Sequence, residues 1–163
     1  MIKAHLNTPL GTAEICGDQC GIKSIKILED HLEDSPVPAE LIPAVEQLKA
    51  YFAGELKEFN LKIHPEGTPF QKKVWHSLSN ISFGKTISYF DLSNEIGNIK
   101  AIRAVAAANS KNPLWIVVPC HRVIGRDGSL TGYAGGLWRK KWLLDHENPV
   151  QQQSLFQLNS TNR

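Results

Sequence analysis

A chain of 163 residues with a hydrophobic fraction of 42% is long enough for one compact domain or two small ones, and too apolar for general disorder. It contains no run of about 18 apolar residues, the length that a membrane helix needs, and its first residues lack the apolar core of a secretory signal. Three cysteines are an odd number at low density, which argues against a disulfide framework and favours a reduced, cytoplasmic protein.

The net charge of +2 conceals an uneven distribution along the chain. Residues 1–66 contain six lysines and eleven acidic residues, a net charge of −5. Residues 67–147 contain eleven lysines and arginines and five acidic residues, a net charge of +6. This asymmetry indicates that the second part faces a polyanion such as nucleic acid, although a merely uneven surface charge is the alternative.

The first part is predicted to be a small α/β domain over residues 1–66. Short apolar segments broken by glycine predict strands between Lys3 and Leu28, with "GDQCG" as the turn between two of them. In "AELIPAVEQLKAYFAGE" apolar residues recur at helical spacing and Gly54 offers a stop. The segment "FNLKIHPEG" predicts one further strand. The helical apolar positions are Leu41, Val45, Leu48 and Phe52.

The second part, residues 67–147, opens with a helix-start signal in "TPFQKKVWHSL". Thr68 is a capping residue, Pro69 suits the first helical position, and Gln71 completes a capping box. The predicted apolar face of this helix consists of Phe70, Val74, Trp75 and Leu78.

A helix-turn-helix outline follows in "SYFDLSNEIGNIKAIRAVAAANS". Gly97 closes a first short helix and Asn98 can cap a second one. After it come an extended apolar run, "NPLWIVVPC", a glycine-rich loop, "GRDGSLTGYAGG", and a last helix, "LWRKKWLLDHE". Residues 148–163 form a polar tail that we expect to be partly disordered.

The adjacent thiol and imidazole of Cys120 and His121 are the first candidates for chemistry. A thiolate is a strong nucleophile and a neighbouring base increases its population, but neighbours in a regular strand point to opposite faces. The pair therefore requires a turn at residues 119 and 120, or a bridging water, and a third group to orient the histidine. The nearest downstream acids are Asp127, Asp145 and Glu147. Arg122 adds positive charge. A purely structural pair is the alternative.

The second helix of the helix-turn-helix is rich in alanine, with Arg103 as the long cation in its middle. Small residues such as Ala101 and Ala104 allow a close approach to a sugar-phosphate groove, and an arginine can fill the space of an extruded base. An alanine-rich packed helix with one solvated arginine is equally compatible with this segment.

Other candidates are less specific. Tyr89 and Tyr133 can be either site residues or core aromatics. Cys16 and Cys20 lie near histidines in sequence, but no second ligand pair has the spacing of a zinc site, so we expect no metal.

Taken together, "PCHRVIGRDGSLTGYAGGLWRKKWLLDHE" resembles the active-site region of the O6-alkylguanine-DNA alkyltransferases, also called methylated-DNA-[protein]-cysteine methyltransferases. The likeness extends through "NSKNP", "KAIRAVAAAN", "GKTISYFDL" and "GTPFQKKVW", and through "TPLG" and "YFAGE" near the start. It is greatest to the bacterial stand-alone type. The resemblance implies a ribonuclease-H-like α/β lobe followed by a mainly helical, winged-helix-like domain.

The resemblance also implies a role for each matching residue. Cys120 matches the alkyl-accepting cysteine, His121 the residue that reaches it through a water, and Glu147 the carboxylate that orients the histidine. Asn112 matches the asparagine that ties the helix-turn-helix to the active-site turn. Arg103 matches the finger that enters the duplex, and Tyr89 matches the phenol that contacts the 3′ phosphate and guanine N3. The residues that match the substrate pocket are Tyr133, Ala134 and Val123.

The expected function is therefore repair of double-stranded DNA that carries O6-alkylguanine, by transfer of the alkyl group to Cys120 once per molecule after the base has been flipped through the minor groove. Thymine O4 is a further possible substrate position. We expect no cofactor and no metal, since Asp18 and Lys23 stand where some relatives have zinc ligands. We also expect a monomer without an obligatory protein partner. The rivals are a cysteine hydrolase or acyltransferase and a non-catalytic DNA-binding regulator.

Overall fold

The computed structural model describes residues 1–33 and 35–149. They form two compact units, one of Met1–Gly67 together with Pro113–Val117, and one of Thr68–Asn112 together with the chain from Val118 onward. The sequence predicted two continuous domains, so the assignment of residues 113–117 differs. The predicted disordered tail lies outside the described residues from Val150 onward. Within the described residues, no helix is both long enough and apolar enough to cross a bilayer.

The first unit is built on an antiparallel sheet of three consecutive strands. β1 (Ile2–Thr8), β2 (Gly11–Asp18) and β3 (Gly21–Leu28) pair in the order of the chain. The predicted turn "GDQCG" is confirmed, because Asp18 and Gly21 are paired across it and the Asp18 carboxylate accepts from the backbone N–H of Cys20 at 2.7 Å. Ala13, Ile15 and Ile25 are fully buried and form part of the core.

The predicted helix of this unit is confirmed as α1 (Ile42–Phe52), preceded by one 3-10 turn at Ala39–Leu41. Of the four positions predicted from the spacing, Val45 and Leu48 are buried in this helix, Leu41 is buried in the preceding 3-10 turn, and Phe52 is only half-buried. Gly54 follows the helix with φ of 79°, a left-handed conformation that favours glycine. The buried residues of the helix are Ala44, Val45, Leu48 and Tyr51.

The further strand predicted in "FNLKIHPEG" is wrong. Ile63 forms an isolated parallel bridge with Ile22 of β3, supported by two backbone hydrogen bonds of 2.8 and 2.7 Å. Pro65 follows, and proline has no N–H to continue a ladder. The segment therefore touches the sheet at one point without becoming a strand.

The extended run predicted in "NPLWIVVPC" is likewise only partly correct. Leu114 forms an isolated parallel bridge with Ile25, and Ile25 exchanges hydrogen bonds of 2.8 and 3.0 Å with Pro113 and Trp115. These bonds explain why residues 113–117 belong to the first unit. The chain then turns, since the N–H of Val117 reaches the carbonyl of Trp115 at 2.9 Å and Ile116 has φ of 75°.

The second unit begins with α2 (Pro69–Leu78), whose predicted capping box is confirmed. The Gln71 N–H donates to the Thr68 hydroxyl at 3.1 Å and the Thr68 N–H donates to the Gln71 side chain at 3.0 Å. Val74, Trp75 and Leu78 are buried as expected. Phe70 is an exception because 36% of it is exposed.

The helix-turn-helix outline is also confirmed. α3 (Tyr89–Ile96) ends at Gly97, which has φ of 95°, and α4 (Ile102–Ser110) follows a 3-10 turn at Ile99–Ala101 that Asn98 caps. The Trp75 indole N–H donates to the carbonyl of Ala108 at 2.8 Å and ties α4 to α2. A short parallel pair, β4 (Ile87–Ser88) and β5 (Val123–Ile124), and the predicted last helix α5 (Leu137–Glu147) complete this unit.

Candidate functional site

Cys120 lies in a tight turn, as the proposed chemistry of the pair requires. Residues Cys120–Arg122 form one 3-10 turn between Pro119 and β5. The Cys120 N–H donates to the carbonyl of Val118 at 2.8 Å, and the Arg122 N–H donates to that of Pro119 at 3.0 Å. The Cys120 side chain and its neighbour His121 are both buried, with 4% and 0% of their surface exposed. Hence the thiol and the imidazole are not on opposite faces of a strand.

The surroundings of the thiol act in both directions on its acidity. Burial raises the pKa of Cys120 to about 11, while a hydrogen bond from Asn112 and the charge of Lys140 favour the thiolate. The Asn112 amide also donates to the carbonyl of Val118 at 2.8 Å. Asn112 therefore connects the end of α4 to the turn, the contact that the resemblance implied, and also to the sulfur.

His121 and Glu147 form a buried pair, with 2.7 Å between the Nε2 atom and the Oε2 atom. A carboxylate only accepts hydrogen bonds, so the Nε2 atom carries the proton. The Nδ1 atom is buried and has no hydrogen-bond partner among the described residues. Burial lowers the pKa of His121 below 6.5, against the opposing influence of Glu147. The neutral ring thus has a free lone pair on the Nδ1 atom.

Arg122 holds the same carboxylate from its other side. Its Nε atom donates to the Oε1 atom of Glu147 at 2.7 Å, its Nη2 atom donates to the Oε2 atom at 3.0 Å, and its Nη1 atom donates to the carbonyl of Ile81 at 2.6 Å. Burial opposes ionisation of Glu147, but His121 and Arg122 outweigh it and hold the pKa of the carboxyl well below its usual range. From the sequence, Arg122 was assigned only a general positive charge.

The other two acids considered from the sequence have different partners. The Asp127 carboxylate accepts from the hydroxyl and the N–H of Ser129 at 2.6 and 3.0 Å. The Asp145 carboxylate pairs with the exposed Lys141 at 3.2 Å. Glu147 is therefore the one of the three that contacts His121.

Tyr89 lies at the start of α3, next to an asparagine that the sequence reasoning did not select. The Asn109 Nδ2 atom is 3.3 Å from the Tyr89 hydroxyl and 3.5 Å from the carbonyl oxygen of Cys120. Burial raises the pKa of Tyr89, which also has a hydrogen bond to Thr131. An asparagine on the apolar face of an amphipathic helix, one position after Ala108, is the signal that points to Asn109.

A cavity of about 600 Å³ opens between α4 and the glycine-rich loop. Predicted site residues that line it are Tyr89, Arg103, Tyr133 and Ala134. Cys120 is not among the lining residues, but Tyr89 and Tyr133 are close enough to the thiol for its charge to raise their pKa.

The structure does not place every predicted site residue in this cavity. Val123 is fully buried in β5, where it pairs with Ile87. Ala101 and Ala104 do not line the cavity either, although Ala104 is exposed on α4 next to Arg103. They remain candidates for contact with DNA and not for contact with a bound base.

Lys140 is a buried cation that the sequence reasoning did not identify. None of its surface is exposed, and its Nζ atom donates to the carbonyls of Thr131 at 2.6 Å and Gly132 at 3.2 Å. Burial lowers its pKa to about 8, while the charge of Cys120 acts in the opposite direction. Lys140 thereby joins α5 to the loop that lines the cavity and contributes positive potential near the thiol.

No cluster of three or more histidine, cysteine or acidic side chains suited to a metal ion occurs in the described part of the chain. Asp18 and Lys23, which stand where some relatives have zinc ligands, form an ion pair at 3.1 Å, and Lys23 also pairs with Glu66.

Comparison with known proteins gives the same assignment for both units. The model of the "6-O-methylguanine DNA methyltransferase, ribonuclease-like domain" matches residues 1–65, and that of the "6-O-methylguanine DNA methyltransferase, DNA binding domain" matches residues 69–149. A methylated-DNA--protein-cysteine methyltransferase of Methanosarcina acetivorans is 47% identical over 90% of this chain and 98% of its own length. One of Mycobacterium tuberculosis is 44% identical over 87% of this chain and 89% of its own length.

Solved structures agree with these sequence matches. The O6-methylguanine methyltransferase of Mycobacterium tuberculosis superposes with a TM-score of 0.81 at 42% identity, over 90% of this chain and 92% of that one. Its complex with DNA superposes with a TM-score of 0.82 at 42% identity, over 94% and 98% of the two chains. The fold class and the family expected from the sequence are thus confirmed, and the chain belongs to the 6-O-methylguanine DNA methyltransferase family.

Proposed function

We propose that this protein repairs DNA by transferring an alkyl group from O6 of guanine to the sulfur of Cys120. Family membership supports the reaction, and the relative with the same fold has been crystallised with DNA. The observation that carries the assignment of residues is the buried pair of His121 and Glu147 beside the Cys120 turn, in which the Nδ1 atom of the histidine has no partner among the described residues. Such an imidazole can remove a proton from a thiol through one water molecule.

The transfer is a single displacement. The thiol proton passes to the Nδ1 atom of His121, the sulfur forms a bond to the alkyl carbon, and the bond between that carbon and O6 breaks. The guanine leaves with the electron pair and takes a proton at N3 from the Tyr89 hydroxyl, which regains one from solvent. The product is a thioether, which no group in the site can cleave, so each molecule reacts once.

The base has to leave the helix to reach the thiol, because Cys120 is buried in the protein and its short side chain cannot extend to a base that stays in the stack. The cavity of about 600 Å³ beside α4 is large enough for a purine, and exposed Arg103 on its rim is suited to fill the space left in the stack. Only 4% of Cys120 is exposed, so a side chain between the cavity and the sulfur moves when the base enters. The small residues Ala101 and Ala104 suit an approach from the minor groove.

The chemistry assigned here needs only side chains of this chain. Asn112 stabilises the thiolate by its hydrogen bond, and Lys140 adds positive potential. Neither a metal nor a cofactor supplies any step. Because the nucleophile, the base and the acid all belong to one unit, we propose that the protein acts as a monomer, which size-exclusion chromatography would test. The three cysteines favour the reducing cytoplasm as its location, which cell fractionation would test.

The test is incubation with a duplex that contains one O6-methylguanine, followed by mass spectrometry of the protein. We expect a gain of one methyl group per molecule, on the peptide that contains Cys120, and no second turnover. The Cys120→Ala variant should bind the same duplex and remove nothing. Repeated turnover would indicate a hydrolase or acyltransferase instead, and repair by Cys120→Ala would exclude Cys120 as the acceptor.

A further inference from the structure

Asn109 is a buried polar side chain that takes no part in the steps of the proposed reaction. It lies in the last turn of α4 with 4% of its surface exposed, on the same face as Val105 and Ala108. A buried amide destabilises a fold unless its donors and acceptor are satisfied, so its hydrogen bonds show what fixes it there.

The two contacts of Asn109 fix the orientation of its amide. The carbonyl oxygen of Cys120 only accepts, and it lies 3.5 Å from the Nδ2 atom, so the nitrogen and not the oxygen faces the turn. The second hydrogen of the same nitrogen is directed to the Tyr89 hydroxyl at 3.3 Å. One side chain on α4 thus contacts both the backbone of the nucleophile and the phenol.

This orientation determines what Tyr89 can do with its own proton. A phenol oxygen that already accepts a hydrogen bond from Asn109 has its O–H directed elsewhere. In the described residues the other hydrogen-bond neighbour of the hydroxyl is Thr131 in the cavity wall. The Asn109 Oδ1 atom has no hydrogen-bond partner in the described part of the chain. It therefore does not accept the Tyr89 proton, and Asn109 meets the phenol through its Nδ2 atom only.

We propose that Asn109 is a positioning residue. It directs the O–H of Tyr89 toward the cavity, so that the phenol can donate there, and it holds the hydroxyl at a fixed place relative to Cys120. The inference rests on the proposed function, because it assigns Asn109 to the proton donation that accompanies departure of the guanine. Asn109 does not touch the reacting atoms and acts through Tyr89. Without it, the phenol is free to rotate and to donate to the backbone of the turn.

The alternative is that Asn109 only stabilises the turn around Cys120. The two roles differ in their dependence on Tyr89. A positioning role disappears once the phenol is absent, whereas a structural role remains, so a double-mutant cycle separates them.

The experiment compares the wild type, Asn109→Leu, Tyr89→Phe and the double variant in single-turnover transfer from O6-methylguanine duplex at saturating protein. Leucine keeps the branching of asparagine at Cγ, although it is larger, and removes both donors. We expect Asn109→Leu to slow transfer by about tenfold, the order of one lost hydrogen bond. In the Tyr89→Phe background the same substitution should change the rate by less than about twofold.

A second readout is the rate at which iodoacetamide alkylates Cys120, followed on its peptide so that Cys16 and Cys20 do not interfere. Positioning of the phenol predicts an unchanged rate in Asn109→Leu, because iodoacetamide needs no acid at guanine N3. If that rate falls as much as transfer does, or if the two substitutions reduce transfer independently, the inference is overturned.

Should Asn109→Leu fail to fold, Asn109→Ala provides the same cycle, since α4 already has three consecutive alanines at 106–108. Asn109→Asp is the matched variant of the same shape. Its carboxylate cannot donate and would accept the phenol proton, so transfer should be at least as slow as with leucine; transfer at the wild-type rate would contradict the inference. A wild-type protein that transfers no methyl group would instead refute the proposed function itself.

Discussion

The Nε2 atom of His121 lies 2.7 Å from the carboxylate of Glu147, and this contact leaves the Nδ1 atom as the nitrogen available for the proposed role as a base. Replacing the carboxylate by an amide turns one oxygen into an N–H group, which then opposes a donor of either Arg122 or His121. We expect Glu147→Gln to slow methyl transfer by about 100-fold, the usual contribution of a general base. Single-turnover kinetics with methylated duplex would measure this, and a rate within about threefold of the wild type would show that Glu147 does not orient the base.

Arg122 lies beside the proposed nucleophile, but we expect its main contribution to be to the stability of the fold. Arg122→Met leaves the buried carboxylate of Glu147 with one partner fewer, and breaking a buried pair costs about 3 kcal/mol of unfolding free energy. Urea denaturation gives this quantity. The matched control is Lys141→Met, whose ion pair with Asp145 is exposed and should contribute less than about 1 kcal/mol. Equal effects of the two substitutions would contradict the prediction.

Acid should destabilise the protein from a higher pH than carboxyl groups alone would explain. Burial holds the pKa of His121 below its ordinary value of 6.5. Just below pH 6.5 the histidine is therefore protonated in the unfolded chain but still neutral in the folded one. The unfolding free energy is therefore complete above pH 6.5 and falls as the pH drops below it, by at most about 1.4 kcal/mol per pH unit for one group. The depressed pKa of Glu147 adds a further loss below about pH 4.5.

Urea denaturation of the wild type and His121→Gln between pH 7.5 and pH 5 would isolate the contribution of the histidine. The fall in unfolding free energy over this range should be smaller in the variant. An identical fall in both proteins would mean that other groups cause it.

Arg103 is exposed on the rim of the cavity and should be dispensable for the chemistry itself. Arg103→Ala is expected to weaken binding and repair of methylated duplex, while the reaction of Cys120 with free O6-benzylguanine and the urea midpoint remain unchanged. Lys141→Ala, which also removes one cation of the same unit, serves as the control. Loss of both reactions in Arg103→Ala would make the arginine structural.

The charge of Lys140 should increase the reactivity of Cys120 in a pH-dependent way. Lys140→Met removes the ammonium, so we expect slower alkylation of Cys120 by iodoacetamide at pH 7. The pKa of Lys140 is about 8, and above that pH the wild type loses the charge as well, so the difference between the two proteins should shrink. A ratio of rates that stays constant from pH 6.5 to pH 9 would exclude an electrostatic role.

Local signals in the sequence predicted the secondary structure well where the deciding interactions are local. Thr68 and Gln71 contact each other across one helical turn, and Gly97 needs only its own conformation to end α3. The segment around Leu114 was predicted only in part, because its pairing with Ile25 joins residues 89 positions apart. The apolar pattern of the segment itself does not indicate with which distant residue it pairs.

The same distinction applies to the site. Cys120 and His121 stand out as a motif, whereas Arg122, Asn109 and Lys140 are charged or polar residues whose meaning depends on burial. A sequence assigns such side chains to solvent by default. Their burial, at 6%, 4% and 0% exposure respectively, is a property of the packed unit and becomes visible only in the fold.

The tight burial of Cys120 also affects what happens after repair. Every carbon added to the sulfur has to fit into an interior that leaves 4% of this residue exposed, and overpacking of this kind costs about 1–3 kcal/mol. We therefore expect a used molecule to be less stable than a fresh one. Proteases that act on transiently unfolded chains would remove the spent protein first, so reduced stability alone can serve as its disposal signal.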